Sequence, residues 1–200
     1  ATTRKMLLIV YHSLTGGTAQ MAQAAQAGAQ TVPGVSTLWL PAAQASPPQV
    51  LQADGYLFAT PENLAAMSGM LKDFFDRCYY PVLDRISGRP YASLVCAGSD
   101  GAGAARQIAR IATGWRLKAV AEPLIVCTHA QTPEAILAAK QGFFRLIGQN
   151  ALVHHVLLAG LDIRRVGNDQ VKLTQAQQNI GLAGGYVQAV VQKVLFTDSE

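Results

Sequence analysis

The sequence predicts an α/β fold built on a doubly wound, five-stranded parallel sheet with helices on both faces. Three observations carry this expectation. The apolar run Lys5-Met6-Leu7-Leu8-Ile9-Val10-Tyr11-His12 empties into Ser13-Leu14-Thr15-Gly16-Gly17-Thr18 and then into an alanine-rich helical segment. Strand-like and helix-like segments alternate beyond it, as parallel strands joined by crossover helices require. Loops of turn-forming residues follow the first, third and fourth strands, and in a doubly wound sheet these meet at one edge, where the strand order reverses and ligands bind.

The elements follow in order. Lys5 to Tyr11 is a buried strand, and Gly16 to Thr31 the first helix, its alanines allowing close approach to the sheet before Pro33-Gly34 ends it. Val35 to Leu40 reads as the second strand. Pro41 to Pro48 is a proline- and alanine-rich connection to a short helix, and Asp54 to Thr60 forms the third strand. Met67 to Arg77 has helical spacing, with Met70, Leu71, Phe74 and Phe75 toward the core. The plain reading of the phenylalanine pair is core packing. Arg89-Pro90 opens the fourth strand, Tyr91 to Ala97, which feeds Gly98 to Gly103 and a helix from Ala104 to about Thr113. Leu117 to Thr128 is the fifth strand, with Pro123 at an edge or bulge. Thr174 to Leu195 is the last helix, turning Ala176, Ile180, Gly184, Val187, Val190 and Val191 to a sheet.

The first loop carries the chemistry. Ser13 to Thr18 presents backbone N–H groups in one direction, adds three hydroxyls and borrows the positive end of a helix dipole, which suits an anionic phosphate. It lacks the lysine of the ATP-type loop and the G-x-G-x-x-G dinucleotide fingerprint, so N–H and O–H donors alone would meet the phosphate charge.

Ser-x-Thr-Gly-x-Thr after the first strand resembles the phosphate loop of the flavodoxin-like FMN proteins. A second block, Thr60-Pro61-Glu62-Asn63-Leu64 and the segment from Ala65 to Arg77, resembles the strand-three loop and helix of flavodoxin-like NAD(P)H:quinone oxidoreductases and FMN reductases. The resemblance covers Lys5 to Thr128 and the last helix and implies the strand order 2-1-3-4-5. It also implies cofactor-binding roles. Ser13, Leu14, Thr15, Gly16, Gly17 and Thr18 would hold the FMN phosphate, while Thr60, Pro61, Glu62, Asn63 and Leu64, with Ala97, Gly98, Ser99, Asp100 and Gly101, would line the isoalloxazine. Glu62 and Asp100 each either bond a polar edge of that ring or cap the helix that follows. The quinone-reductase relatives carry an aromatic residue and then a glycine where this chain has Leu64 and Ala65, which implies weaker flavin stacking.

Composition sets the frame. With 200 residues, 50% hydrophobic and 14% charged, the chain is expected to form one domain over residues 1–200. The N-terminal apolar run is too short for a signal sequence, so the expectation is a soluble, cytoplasmic protein without a membrane partner. Basic residues that are scattered rather than clustered, with no recognised nucleic-acid motif, argue against a nucleic-acid partner. Cys78, Cys96 and Cys127 are odd in number and widely spaced, which favours buried free thiols over disulfides or a metal site. The net charge of +4 is opposite to that of acidic electron-carrying flavodoxins and fits attraction of anionic nucleotides. Arg106 and Arg110, one helical turn apart, either receive an NADPH phosphate or line a solvated face. His129, past the fifth strand, reads as a surface-loop residue or a hydrogen-bond donor to flavin or substrate.

An insertion of about residues 131–173 precedes the last helix, longer than an ordinary connection. Phe143 to Leu158 is apolar but short and carries Arg145, Gln149, Asn150, His154 and His155, which favours a buried helix or an oligomer contact over a membrane span. Adjacent His154 and His155 point apart on a helix, so no zinc site is expected. Leu161 to Leu173 suggests a hairpin about Gly167-Asn168-Asp169. The insertion is expected to complete a homodimer and shape the substrate side of the site. The expected function is an FMN-dependent oxidoreductase passing electrons from NAD(P)H to a quinone or similar small acceptor, with no side chain as acid or base. The alternative is a flavodoxin-type electron carrier or flavin-binding interaction protein that does not use NAD(P)H.

Overall fold

The structure, a computed structural model, describes residues 4–128. His129, the insertion with its hairpin and histidine pair, and the last helix lie outside the described residues. Seven strands and four helices are described: β1 (Lys5–Tyr11), α1 (Gly17–Gln30), β2 (Val35–Pro41), α2 (Pro47–Gln52), β3 (Gly55–Asn63), β4 (Ala66–Met67), α3 (Gly69–Val82), β5 (Pro90–Ala97), α4 (Ala102–Gly114), β6 (Lys118–Ala119) and β7 (Leu124–Cys127).

The sheet runs β2-β1-β3-β5, with β6 and β7 both parallel to β5 in the fifth position. The expected order is therefore present, but the fifth strand is split. Val120, Ala121, Glu122 and Pro123 interrupt it, and Pro123 supplies a reason because it has no N–H to give a ladder. The strands align in register at their C-terminal ends, pairing Tyr11 with Ala59 and Pro61 with Cys96.

Two buried clusters pack the two faces. On one, Leu7, Ile9, Leu57, Ala59 and Leu94 meet Met21, Ala22, Ala25 and Ala29 of α1, whose small side chains bring the helix close to the strands. On the other, Tyr56, Phe58 and Val95 meet Leu71, Phe74 and Phe75 of α3, Ile108 of α4 and Trp115. Phe58 lies at the centre of an aromatic cluster, its ring 4.9 Å from Phe75 and 6.4 Å from Trp115, both edge-on. Leu71, Phe74 and Phe75 thus point inward as the spacing predicts, whereas Met70 does not: it is 40% exposed. Ser68 caps α3 by accepting from the Leu71 N–H, and this starts the helix two residues later than expected and turns Met70 outward.

The third strand is longer than expected. It continues through Pro61, Glu62 and Asn63, then reverses at Leu64-Ala65 and returns as β4, with Glu62 opposite Met67 and Asn63 opposite Ala66. Leu64 and Ala65 both have positive φ, 51° and 59°, which gives a two-residue hairpin of the kind usually made by Asn-Gly.

Candidate functional site

The site is built where β1, β3 and β5 end. The His12 N–H donates to the Ala59 carbonyl at 3.1 Å, which ties the first loop to β3 as it leaves the sheet. Gly16 at φ 99° makes the turn into α1, and the Ser13 hydroxyl oxygen accepts from the Gly16 N–H at 3.0 Å. That bond leaves the hydroxyl proton of Ser13 free to donate. Gly17 packs over Cys96, and a Cβ there would lie 2.8 Å from the Cys96 sulfur. Cys96 is thus the point where the three segments meet: Gly17 and Thr18 lie against it, Pro61 pairs with it, and the third loop begins just after it.

The first turn of α1 carries neither an acidic residue nor a side-chain cap. Its leading N–H groups have no partner within the helix and, with the dipole, form an anion cradle. Leu14 and Thr15 are exposed at the rim, Ser13, Gly16 and Gly17 are half-buried, and Thr18 is buried against the Cys96 thiol. Two buried polar atoms near this turn, His12 Nδ1 and Gln20 Oε1, have no hydrogen-bond partner among the described residues, while the Thr18 hydroxyl is turned to the Cys96 thiol. An unsatisfied polar group inside a protein is costly, so their gathering at one loop fits a site for a polar ligand.

The second and third loops are joined by the protein's own bonds. Glu62 reaches across to α4, where its carboxylate accepts from the Gly101 N–H at 3.1 Å and the Ala104 N–H at 2.9 Å. Asp100 accepts from the Ala102 N–H at 2.7 Å. Both carboxylates therefore cap α4, and Glu62 does so on a helix distant in sequence rather than on the next one. Thr60 is buried, its hydroxyl accepting from the Ser68 N–H at 3.0 Å and donating to the Pro61 carbonyl at 2.9 Å. Asn63 and Leu64 are exposed at the hairpin, Leu64 fully. Ala97 and Gly101 are buried, Gly98 is half-buried, and Ser99 and Asp100 face solvent. A side chain at Gly101 would strike Ile125, and one at Gly103 would strike the Ala65 carbonyl, so the third loop must be glycine-rich to pack against β7 and the hairpin.

Burial pushes the Cys96 thiol up to about 11, and nearby Cys127 adds to the rise while the Thr18 hydroxyl offsets part of it. Neither this thiol nor Cys127, also raised chiefly by burial, is a reactive nucleophile at neutral pH. Among the described residues no group of His, Cys, Asp and Glu side chains is placed to hold a metal ion, and no helix is long and apolar enough to cross a membrane.

The comparisons with known proteins point the same way as this geometry. Residues 40–131 match the family model for NADPH-dependent FMN reductase. A flavodoxin of Aquifex aeolicus (strain VF5) is 31% identical over 97 residues, covering 48% of this chain and 50% of that protein. An NAD(P)H dehydrogenase (quinone) of Acidithiobacillus ferrooxidans is 30% identical over 91 residues, covering 36% of this chain and 46% of that protein. In these matched segments the chain is similar to the flavodoxin-like FMN proteins. It spans about half the length of these curated relatives. Among solved structures, a flavodoxin from the domain Archaea superposes with TM-score 0.54 at 16% identity, over 68% of this chain and 92% of that one.

Within this flavodoxin-like fold, the two loop–helix junctions divide their roles. The α4 N-terminus is satisfied by Glu62 and Asp100, whereas the first turn of α1 has no side-chain cap. The residues present fit FMN: an uncapped helix start with Ser13 and Thr15 hydroxyls for its phosphate, and apolar Leu14 and Leu64, 71% and 101% exposed, on two of the converging loops. Sequence reasoning missed Cys96 as the meeting point. The signal was its place one residue before the end of the fourth strand, where the glycines of two loops must pack.

Proposed function

We propose that this protein binds FMN and passes electrons from NAD(P)H to a quinone or similar small acceptor. The observation that carries the reading is the uncapped N-terminus of α1, framed by Ser13, Thr15 and Gly16, on a sheet whose other loop–helix junction fills its own helix terminus. When bound, FMN supplies the redox chemistry. The chain's part is to bind and orient. The leading N–H groups of α1 hold the phosphate with the Ser13 and Thr15 hydroxyls. The hairpin from Thr60 to Leu64 and the loop from Ala97 to Gly101 border the ring, with Glu62 fixing these two segments to each other rather than acting as acid or base. Leu64 in place of an aromatic residue gives the ring an apolar contact without stacking.

The visible spectrum of the purified protein after FMN addition and desalting tests the cofactor, and NAD(P)H oxidation with quinone, flavin and azo acceptors tests the reaction. Retained flavin with turnover is expected. Retained flavin without NAD(P)H oxidation would favour an electron carrier, a reading that the flavodoxin relative supports and the net charge of +4 opposes. No retained flavin would defeat both.

A further inference from the structure

A groove of about 660 Å³ lies beside the hairpin, between the start of α3, β4 and α4. Lys72, Arg106 and Arg110 line it, together with the apolar Met67 and Ile111. Arg106 and Arg110 stand one turn apart on α4, both exposed, and i,i+4 side chains share one face of a helix. No hydrogen bond or ion pair engages either guanidinium among the described residues. Lys72 is bound to Asp76 at 2.6 Å, so the groove's cationic character rests on the two arginines. No acidic residue lines it.

The walls are fixed before any ligand arrives. Glu62 binds the start of α4, the Gln107 side chain accepts from the Met67 N–H at 2.9 Å, and Gly103 closes directly on the Ala65 carbonyl. Gly69 adds no side chain, and a Cβ there would touch nothing within 4 Å, so the α3 side stays open. A rigid groove with apolar walls and two free guanidiniums suits a flat heterocycle bearing a terminal phosphate. Guanidinium binds such a phosphate in a two-pronged manner and distinguishes it sharply from a hydroxyl. The groove begins at Ala65, in the hairpin turn that the proposed function sets beside the flavin ring.

We infer that this groove binds the phosphorylated adenosine end of NADPH, with Arg106 and Arg110 on its 2′-phosphate, and so sets a preference for NADPH over NADH. The inference rests on the proposed use of a nicotinamide nucleotide. Calorimetric titration of the full chain, loaded with FMN, compares 2′,5′-ADP with 5′-AMP. The phosphorylated nucleotide is expected to bind at least about tenfold more tightly, the loss typical of one charge-assisted contact, and Arg106→Ser with Arg110→Ser to abolish the difference while FMN retention stays unchanged. Equal affinity for the two nucleotides, or an unchanged difference in the double variant, overturns the inference. Steady-state assays separate it from the proposed function. NADPH turnover with an NADPH/NADH preference unmoved by the double variant removes the groove and leaves the reaction. Selective 2′,5′-ADP binding without NAD(P)H oxidation keeps the groove and removes the reaction.

Discussion

Gly17 and the Leu64–Ala65 pair show how single residues set the site. Gly17 lets the first turn of α1 lie on the Cys96 sulfur, so Gly17→Ala would press a methyl to 2.8 Å from it. The variant is expected to lose about 1–3 kcal/mol of stability, as overpacking does, and to bind FMN more weakly, as denaturant titration and flavin fluorescence would report. At Ala65 the sign reverses. Its φ of 59° is a left-handed conformation that costs a non-glycine residue about 1–2 kcal/mol, so Ala65→Gly relieves strain in the hairpin. Part of that gain is offset by added freedom in the unfolded chain, and a net rise of at most about 1 kcal/mol is expected in denaturant midpoint. A fall in stability on Ala65→Gly would mean that the turn is not strained. These values of φ were not legible in the sequence, because Leu and Ala carry no turn signal of their own and only the pairing of Glu62 with Met67 forces the reversal.

At the scale of elements, the contrast between α1 and α4 is the central feature. Both begin after a left-handed glycine, Gly16 or Gly101, yet only α4 is met by carboxylates. Removing Glu62 leaves two N–H groups without their acceptor. Glu62→Ala is therefore expected to destabilise the protein by about 1–3 kcal/mol and to loosen the hairpin against α4, with faster amide exchange at Gly101 and Ala104. Unchanged exchange at those amides would contradict this role. The glycine-rich sequence after the fourth strand showed that a tight turn was needed there, but not that a carboxylate from the third strand would fill the helix terminus. The bond joins residues about 40 positions apart, and no local pattern encodes it.

For the whole molecule, buried thiols give stability a direction with pH. Burial pushes Cys78 up to about 11, the Arg77 charge partly opposing it and Asp73 adding to it, and Cys96 also rises to about 11. A thiol whose folded value lies above the ordinary 9.0 keeps its contribution below that value, where both states hold the proton. Stability then falls as pH rises from about 9 to about 11, because the unfolded chain releases the protons first. Denaturant midpoints measured across that window are expected to decline, and less steeply in Cys96→Ser. A flat profile would mean that these thiols are not buried in the folded state.

The sequence by itself determined the alternation of elements, the hydroxyl- and glycine-bearing loop at Ser13 to Thr18 and the inward face of α3 at Leu71, Phe74 and Phe75, because hydrophobic period, glycine placement and hydroxyl spacing are local properties. It also marked Pro123 as a disturbance in the last strand, since a residue without an N–H cannot serve a ladder wherever it sits. Tertiary structure decided the rest. It brought Glu62 to α4, made Cys96 the meeting point of three loops, turned Met70 outward and set Arg106 and Arg110 over a groove walled by another element. Each of these depends on which segments lie side by side, and adjacency in a parallel sheet is fixed by crossovers and register rather than by neighbouring residues in the chain.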